Sequence, residues 1–171
     1  MKRSVLICVL LALLAWPITA RNLHRGYRGF VDFDNAFGAM SYYDGAHDVM
    51  HDFQWFIGVS TSHGFQFNEN IFVGGGLLLS VAQPSLYGNV PVFADFRYDA
   101  DFGRIKPYAD VRIGCNLLSP GLYFSPTVGH RFSCGRKANF NVGLGMMVLR
   151  IDDAGKQAER CFFALKLGFD F

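Results

Sequence analysis

The stretch from Cys161 to Phe171 constrains the fold more than any other part of the chain. Cys161, Phe163, Leu165, Leu167, Phe169 and Phe171 share one parity, and Phe162, Ala164, Lys166, Gly168 and Asp170 share the other. Alternate side chains of a strand point to opposite faces, so this segment has one face apolar along its whole length and another that mixes charge with small residues. Such a face must be buried in a protein core or in hydrocarbon. The rest of the chain decides which.

From Arg21 onward the same alternation returns in eight segments separated by Gly, Asp, Asn and Pro clusters: Tyr27 to Ala39, Asp52 to Thr61, Ile71 to Val81, Val90 to Asp99, Ile105 to Asn116, Leu122 to Phe132, Ala138 to Leu149 and Cys161 to Phe171. Each is close to the roughly 9 to 11 residues that a tilted strand needs to cross a bilayer. Val92, Ala94, Phe96 and Tyr98 oppose Phe93, Asp95, Arg97 and Asp99, and Ala109, Val111 and Ile113 oppose Tyr108, Asp110 and Arg112. In a soluble barrel the apolar set fills the interior. Here the apolar set is read as the outer face against lipid and the charged, glycine-rich set as the inner face, the inverse of a soluble barrel. The expected fold is all-β, an eight-stranded antiparallel up-and-down transmembrane β-barrel. No apolar run after the first twenty residues is long enough for a spanning helix.

Residues 1–20 read as a signal peptide: Lys2 and Arg3 precede an apolar run from Val5 to Ala15, and Ile18-Thr19-Ala20 suits cleavage before Arg21. Residues 21–171 then form the barrel domain. Lys2 and Arg3 also account for the net charge of +2, so the remaining acidic and basic side chains balance and no nucleic-acid partner is implied. Cys115, Cys134 and Cys161 are an odd number at unrelated spacings; one pair is possible, and packing as small apolar groups is the plainer reading.

With the apolar parity outward, the inner face collects Asp32, Asp34, Asp95, Asp99, Asp110 and Asp170 against Arg28, Arg97, Lys106, Arg112, Arg131 and Lys166. An eight-stranded bore is just wide enough to be filled by side chains, so these groups are expected to pair, with Gly58, Gly74, Gly76, Gly114 and Gly143 making room for Phe56, Tyr108, Tyr123 and Phe162. Ala164 is expected to lie among polar partners. Asn35 on the outer parity and Pro126 in mid-strand suggest a bulge or parity change near each. With both ends of the barrel domain on the periplasmic side, the external connections are Met40 to His51, Ala82 to Asn89, Leu117 to Gly121 and Arg150 to Arg160. Ser62 to Asn70, Ala100 to Arg104 and Ser133 to Lys137 lie on the other side, and Gly103 and Gly135 are expected to supply the positive φ of tight turns.

Ser62-His63-Gly64-Phe65-Gln66-Phe67-Asn68, Phe72-Val73-Gly74-Gly75-Gly76, Pro91-Val92-Phe93-Ala94-Asp95-Phe96-Arg97-Tyr98, Pro107-Tyr108, Gly121 to Gly129 and the final Phe171 together resemble the small outer-membrane β-barrel proteins of Gram-negative bacteria, especially the porin-family or OmpA/OmpX-like barrels of Bacteroides-type organisms. The resemblance implies outer-membrane lipid as surroundings and recognition of the strand ending at Phe171 by the barrel-assembly machinery. It implies no single activity.

Few residues invite chemistry. His47-Asp48-Val49-Met50-His51 has the spacing of a helical two-histidine metal site, but lies in an expected external loop. Ser62-His63 and Gly129-His130 are the local candidates for a lipid-modifying enzyme, without a carboxylate in an orienting position. Tyr42, Tyr43, Leu86 and Tyr87 could serve a binding surface. A soluble barrel of lipocalin type is the alternative outside the membrane. The expectation is a monomeric, closed barrel with a structural or surface-interaction role and no catalytic, cofactor-binding or metal residues; a lipid-modifying enzyme or a small-solute porin are the alternatives.

Overall fold

A computed structural model describes residues 26–43, 49–83, 86–118, 121–134, 138–153 and 156–171, with the side chains of 39–43, 49–52, 87, 151–153 and 156–160 excepted. The elements are β1 (Gly26–Tyr43), β2 (Val49–Gln66), β3 (Ile71–Gln83), β4 (Tyr87–Asn89), β5 (Pro91–Asp99), β6 (Pro107–Asn116), β7 (Leu122–Ser133), β8 (Asn139–Asp153) and β9 (Lys156–Asp170). All pairings are antiparallel and, apart from β5 with β3, between sequence neighbours, and β1 pairs with β9, so the sheet closes on itself. Short β4 and β5 both pair with β3 in one continuous register, Ala82↔Tyr87 through Ile71↔Tyr98, and together form one stave. The result is an eight-staved up-and-down barrel, as the alternation requires.

The gap within that stave has a local cause. Pro91 has no N–H to give, and the Val90 N–H is taken by Asn116 Oδ1 at 3.0 Å. Pro126 acts in the same limited way: pairing of β7 with β8 lapses between Phe124↔Val148 and Thr127↔Gly145, while Val111↔Pro126 keeps its place opposite β6. No bulge or parity change follows at Pro126. None follows at Asn35 either, which stands opposite Ile57 and Leu165 in unbroken register, half-exposed on the outer wall. A one-residue slip there would turn Arg28, Asp32 and Asp34 toward the wrong face, a heavier cost than one outward amide.

Connections are shorter than the sequence suggests. β1 and β2 stay paired to Tyr43↔Val49, and β8 and β9 to Asp153↔Lys156, so most of Met40 to His51 and nearly all of Arg150 to Arg160 are strand. Alternation had faded there because Ser41-Tyr42-Tyr43 and Ile151-Asp152-Asp153 do not alternate apolar with polar residues. Those two hairpins are adjacent through Met40↔Arg160 and rise as a four-stranded wall above the opposite rim, where β3 ends at Gln83 and β6 at Asn116. At the other end Gly103 takes φ +76° in the β5–β6 turn, as expected; Gly135 lies outside the described residues. There Asp101 accepts the Gly103 N–H at 2.8 Å and faces Lys106 Nζ at 3.3 Å, which hold its carboxyl below the usual carboxylate range.

The outer wall carries exposed Phe33, Phe37, Trp55, Phe65, Phe96, Leu144, Phe163 and Phe169. Cys115, Cys134 and Cys161 are also exposed, as free thiols. Phe171 closes the seam: it exchanges backbone hydrogen bonds with Gly29, at 2.9 and 3.0 Å, and a Cβ on Gly29 would sit 2.7 Å from its ring.

Candidate functional site

Inward parity places one continuous set of side chains in the bore, and register sorts them by height into distinct layers. At the end that carries Gly26 and Phe171, Arg28 donates to Asp170 Oδ2 through Nε at 2.9 Å and to Gln66 Oε1 at 2.9 Å, and pairs with Asp99. Arg97 donates to Asp99 Oδ1 and to Asn141 Oδ1, each at 2.9 Å, and Arg131 reaches Asp99 at 3.3 Å. Asp99 therefore serves three guanidinium groups. Asn139 and Asn141 add side-chain hydrogen bonds to Asp170.

An aromatic layer follows. The guanidinium carbons of Arg28 and Arg97 both lie 4.6 Å from the Phe30 ring centroid, and that of Arg97 lies 3.7 Å from the Tyr108 centroid, a cation–π arrangement out of water. Tyr108 fits only because two neighbours lack side chains: a Cβ on Gly143 would stand 2.3 Å from its hydroxyl, and one on Gly129 2.6 Å from its ring.

Arg112 organises the middle layer. Its Nη2 pairs with Asp32, its Nε lies 3.1 Å from Asp110 and 3.4 Å from Asp95, and its Nη1 donates to Ser60 Oγ at 2.9 Å with Asp34 at 3.9 Å. Ser60 in turn donates to Asp34 at 2.5 Å, and Ser62 to Asp95 at 2.5 Å. Lys166 Nζ stands 3.7 Å from Asp110. Four carboxylates thus share two cations here, whereas the terminal layer sets three arginines against two carboxylates. Ionised throughout, the two layers carry opposite net charge.

Toward the raised hairpins the bore turns apolar. Phe56, Leu78, Phe93, Tyr123, Met147, Leu149 and Phe162 pack with Ala36, Ala82 and Ala164 as one buried cluster. Phe56 meets Phe162 edge-on at 4.7 Å between centroids, and Phe93 meets Tyr123 at 5.6 Å. Ala164 accordingly lies among hydrocarbon and not among polar partners: parity identified its face, but its height depends on partners elsewhere in the sequence. Lys106 is a second correction. It precedes β6, is partly exposed, and pairs with Asp101 in the turn, outside the bore.

Ser62 and His63 are separated by the pleat. Ser62 is buried inside against Asp95, while His63 points outward, where Tyr27 Oη meets its Nδ1 at 2.5 Å and Thr61 Oγ1 its Nε2 at 2.8 Å. A strand places neighbours on opposite faces, so this Ser and His cannot act on one substrate. His130 is likewise on the outer wall, with Nε2 accepting the Lys106 backbone N–H at 3.1 Å. His47 and Asp48 lie outside the described residues, and the backbone from Val49 through His51 is strand, not the helix that the two-histidine spacing requires. Among the described residues no three His, Cys, Asp or Glu side chains are grouped to hold a metal ion. Leu86 is well exposed, while the side chains of Tyr42, Tyr43 and Tyr87 lie outside the described set. Ser62, Gln66 and Asn139 were missing from the inner set read from the sequence, whereas Ser60 and Asn141 already stood on its parity; shared parity with the charged residues was the signal available.

An all-antiparallel eight-staved barrel with an apolar wall and a charged, filled bore is the architecture of the small outer-membrane barrels of OmpA/OmpX-like type. A solved structure agrees: the solid-state NMR structure of outer membrane protein AlkL in DMPC lipid bilayers aligns with a TM-score of 0.55 at 15% identity, covering 91% of this chain and 94% of that one. No protein-family model matches the sequence, and no curated protein does. At that identity the likeness is one of fold.

Proposed function

We propose that this chain is exported by residues 1–20, sits in the outer membrane as a monomeric barrel closed to solutes, and acts through its raised hairpins as a surface-interaction protein. The observation that carries the reading is the apolar cluster across the bore between the hairpin end and the ion-paired layers. Water and ions crossing it would have to displace Phe56 and Phe162 from each other and leave the charges beneath without partners. The wall supports the second half of the reading. Pairing of β2 with β3 begins only at Trp55↔Gln83, so residues 49–54 are paired on their β1 side alone among the described residues. An unpaired strand edge is a template on which an extended segment of another protein can add a strand. Planar-bilayer recording of purified, refolded protein tests closure: silence is expected, and steady, reproducible conductance steps would replace this reading with the small-solute porin.

A further inference from the structure

We infer that the outer wall carries a binding groove for one phospholipid of the leaflet nearest Gly26 and Phe171. The groove is a shallow trough of about 620 Å³, open along the wall and bounded by Tyr98, Ala109, Val128, His130, Phe132 and Leu144. Most of the wall is studded with large side chains. Here outward-facing Ala109 leaves a trough between the flanking Tyr98 and Phe132, both about half exposed.

Three features specify the occupant. The groove opens on the wall's outward, lipid-facing parity, so a hydrocarbon chain is what reaches it. His130, the one imidazole on its border, accepts a hydrogen bond at Nε2 from the Lys106 backbone N–H, which can only donate. That nitrogen is thus engaged by the backbone, and the other side chains bordering the trough are uncharged.

The third feature is at the mouth. The β5–β6 turn runs directly into the groove at Pro107 and presents exposed Phe102 and Ile105 together with exposed Arg104 and partly exposed Lys106. Apolar side chains flanked by cations at the level where strands give way to a turn suit the boundary between acyl chains and phosphate. A phospholipid supplies the matching pair, a chain for the trough and an anionic phosphate for Arg104, with the Lys106–Asp101 ion pair in the same turn. The inference rests on the barrel's placement in a membrane and is independent of whether the bore conducts.

The test uses the full chain refolded into DMPC nanodiscs doped with chain-spin-labelled phosphatidylglycerol or phosphatidylcholine, with insertion verified separately by heat-modifiable mobility. The wild type is expected to show a motionally restricted lipid component that Ala109→Trp lowers by about one lipid per barrel by filling the trough. Val128→Trp serves as an independent groove-filling variant. Ala94→Trp, on the outer wall away from the groove, should retain the component. Arg104→Gln with Lys106→Gln should lose the preference for the anionic lipid. An equal restricted component in wild type and in either inserted groove-filling variant overturns the proposal, as does equal loss in Ala94→Trp. A chain that fails to insert at all overturns the membrane placement, and this inference with it.

Discussion

Arg112 shows how much one side chain can carry when a bore is filled with charge. Four carboxylates approach it and one further cation, Lys166, shares the layer. Arg112→Ala is expected to destabilise the barrel by about 3–5 kcal/mol, since it leaves buried carboxylates without their main counter-charge; urea unfolding in lipid vesicles measures it. Gly143 tests steric fit. Gly143→Ala should cost about 1–3 kcal/mol through overpacking against the Tyr108 hydroxyl, and Tyr108→Phe should recover part of that loss in the double variant. Parity made the inner charges legible from sequence, Arg28 and Asp170 included, because each sat opposite an apolar neighbour. Their partners were not legible: Arg28 meets Asp170 only because the first and last strands close the barrel.

At the scale of the strand, β9 is the most informative element, since alternation announced it and closure depends on it. Removing Phe171 should lower the folded, heat-modifiable fraction in membranes, and Gly29→Val should do the same by obstructing the ring's seat. Unchanged folded levels in both would show that the seam closes without that contact. Leu165→Arg places a charge on the outer wall and is expected to cost about 2–4 kcal/mol near the bilayer midplane, read from unfolding in liposomes. Ala164→Arg would be no milder, because it forces a long charged chain between Phe162 and its apolar neighbours. Strand centres were readable because both faces are constrained there, one by lipid and one by the filled bore. Strand ends beyond Ala39 and Leu149 were misread as loops because Ser41-Tyr42-Tyr43 and Ile151-Asp152-Asp153 break the alternation.

Over the whole molecule, the ion-paired layers and the apolar cluster divide the bore into parts with different tasks. Charge pairing fixes the lower part, and Phe56 and Phe162 close the upper part. Replacing Ile151 to Ala158 by a two-residue Asn-Gly turn should leave unfolding in detergent unchanged, because that tip lies beyond the last β7–β8 pair, Tyr123↔Leu149. Surface binding through residues 49–54 of β2 should persist in that variant, because the shortened tip leaves their free edge and their pairing with β1 in place, as a pull-down with the shortened variant would register. The unbroken register has a further consequence for how such a chain can change its length. Every neighbouring pair keeps one register from end to end. The wall therefore has a reading frame of two: a single inserted residue within a stave turns everything on one side of it inside out, carrying arginines to lipid and phenylalanines into the charge layers. A hairpin tip escapes this rule because one residue added to each arm extends the ladder without shifting any existing pair. Lengthening is thus confined to the tips and proceeds in matched pairs, which leaves the four-stranded wall free to vary while the bore beneath it stays in phase.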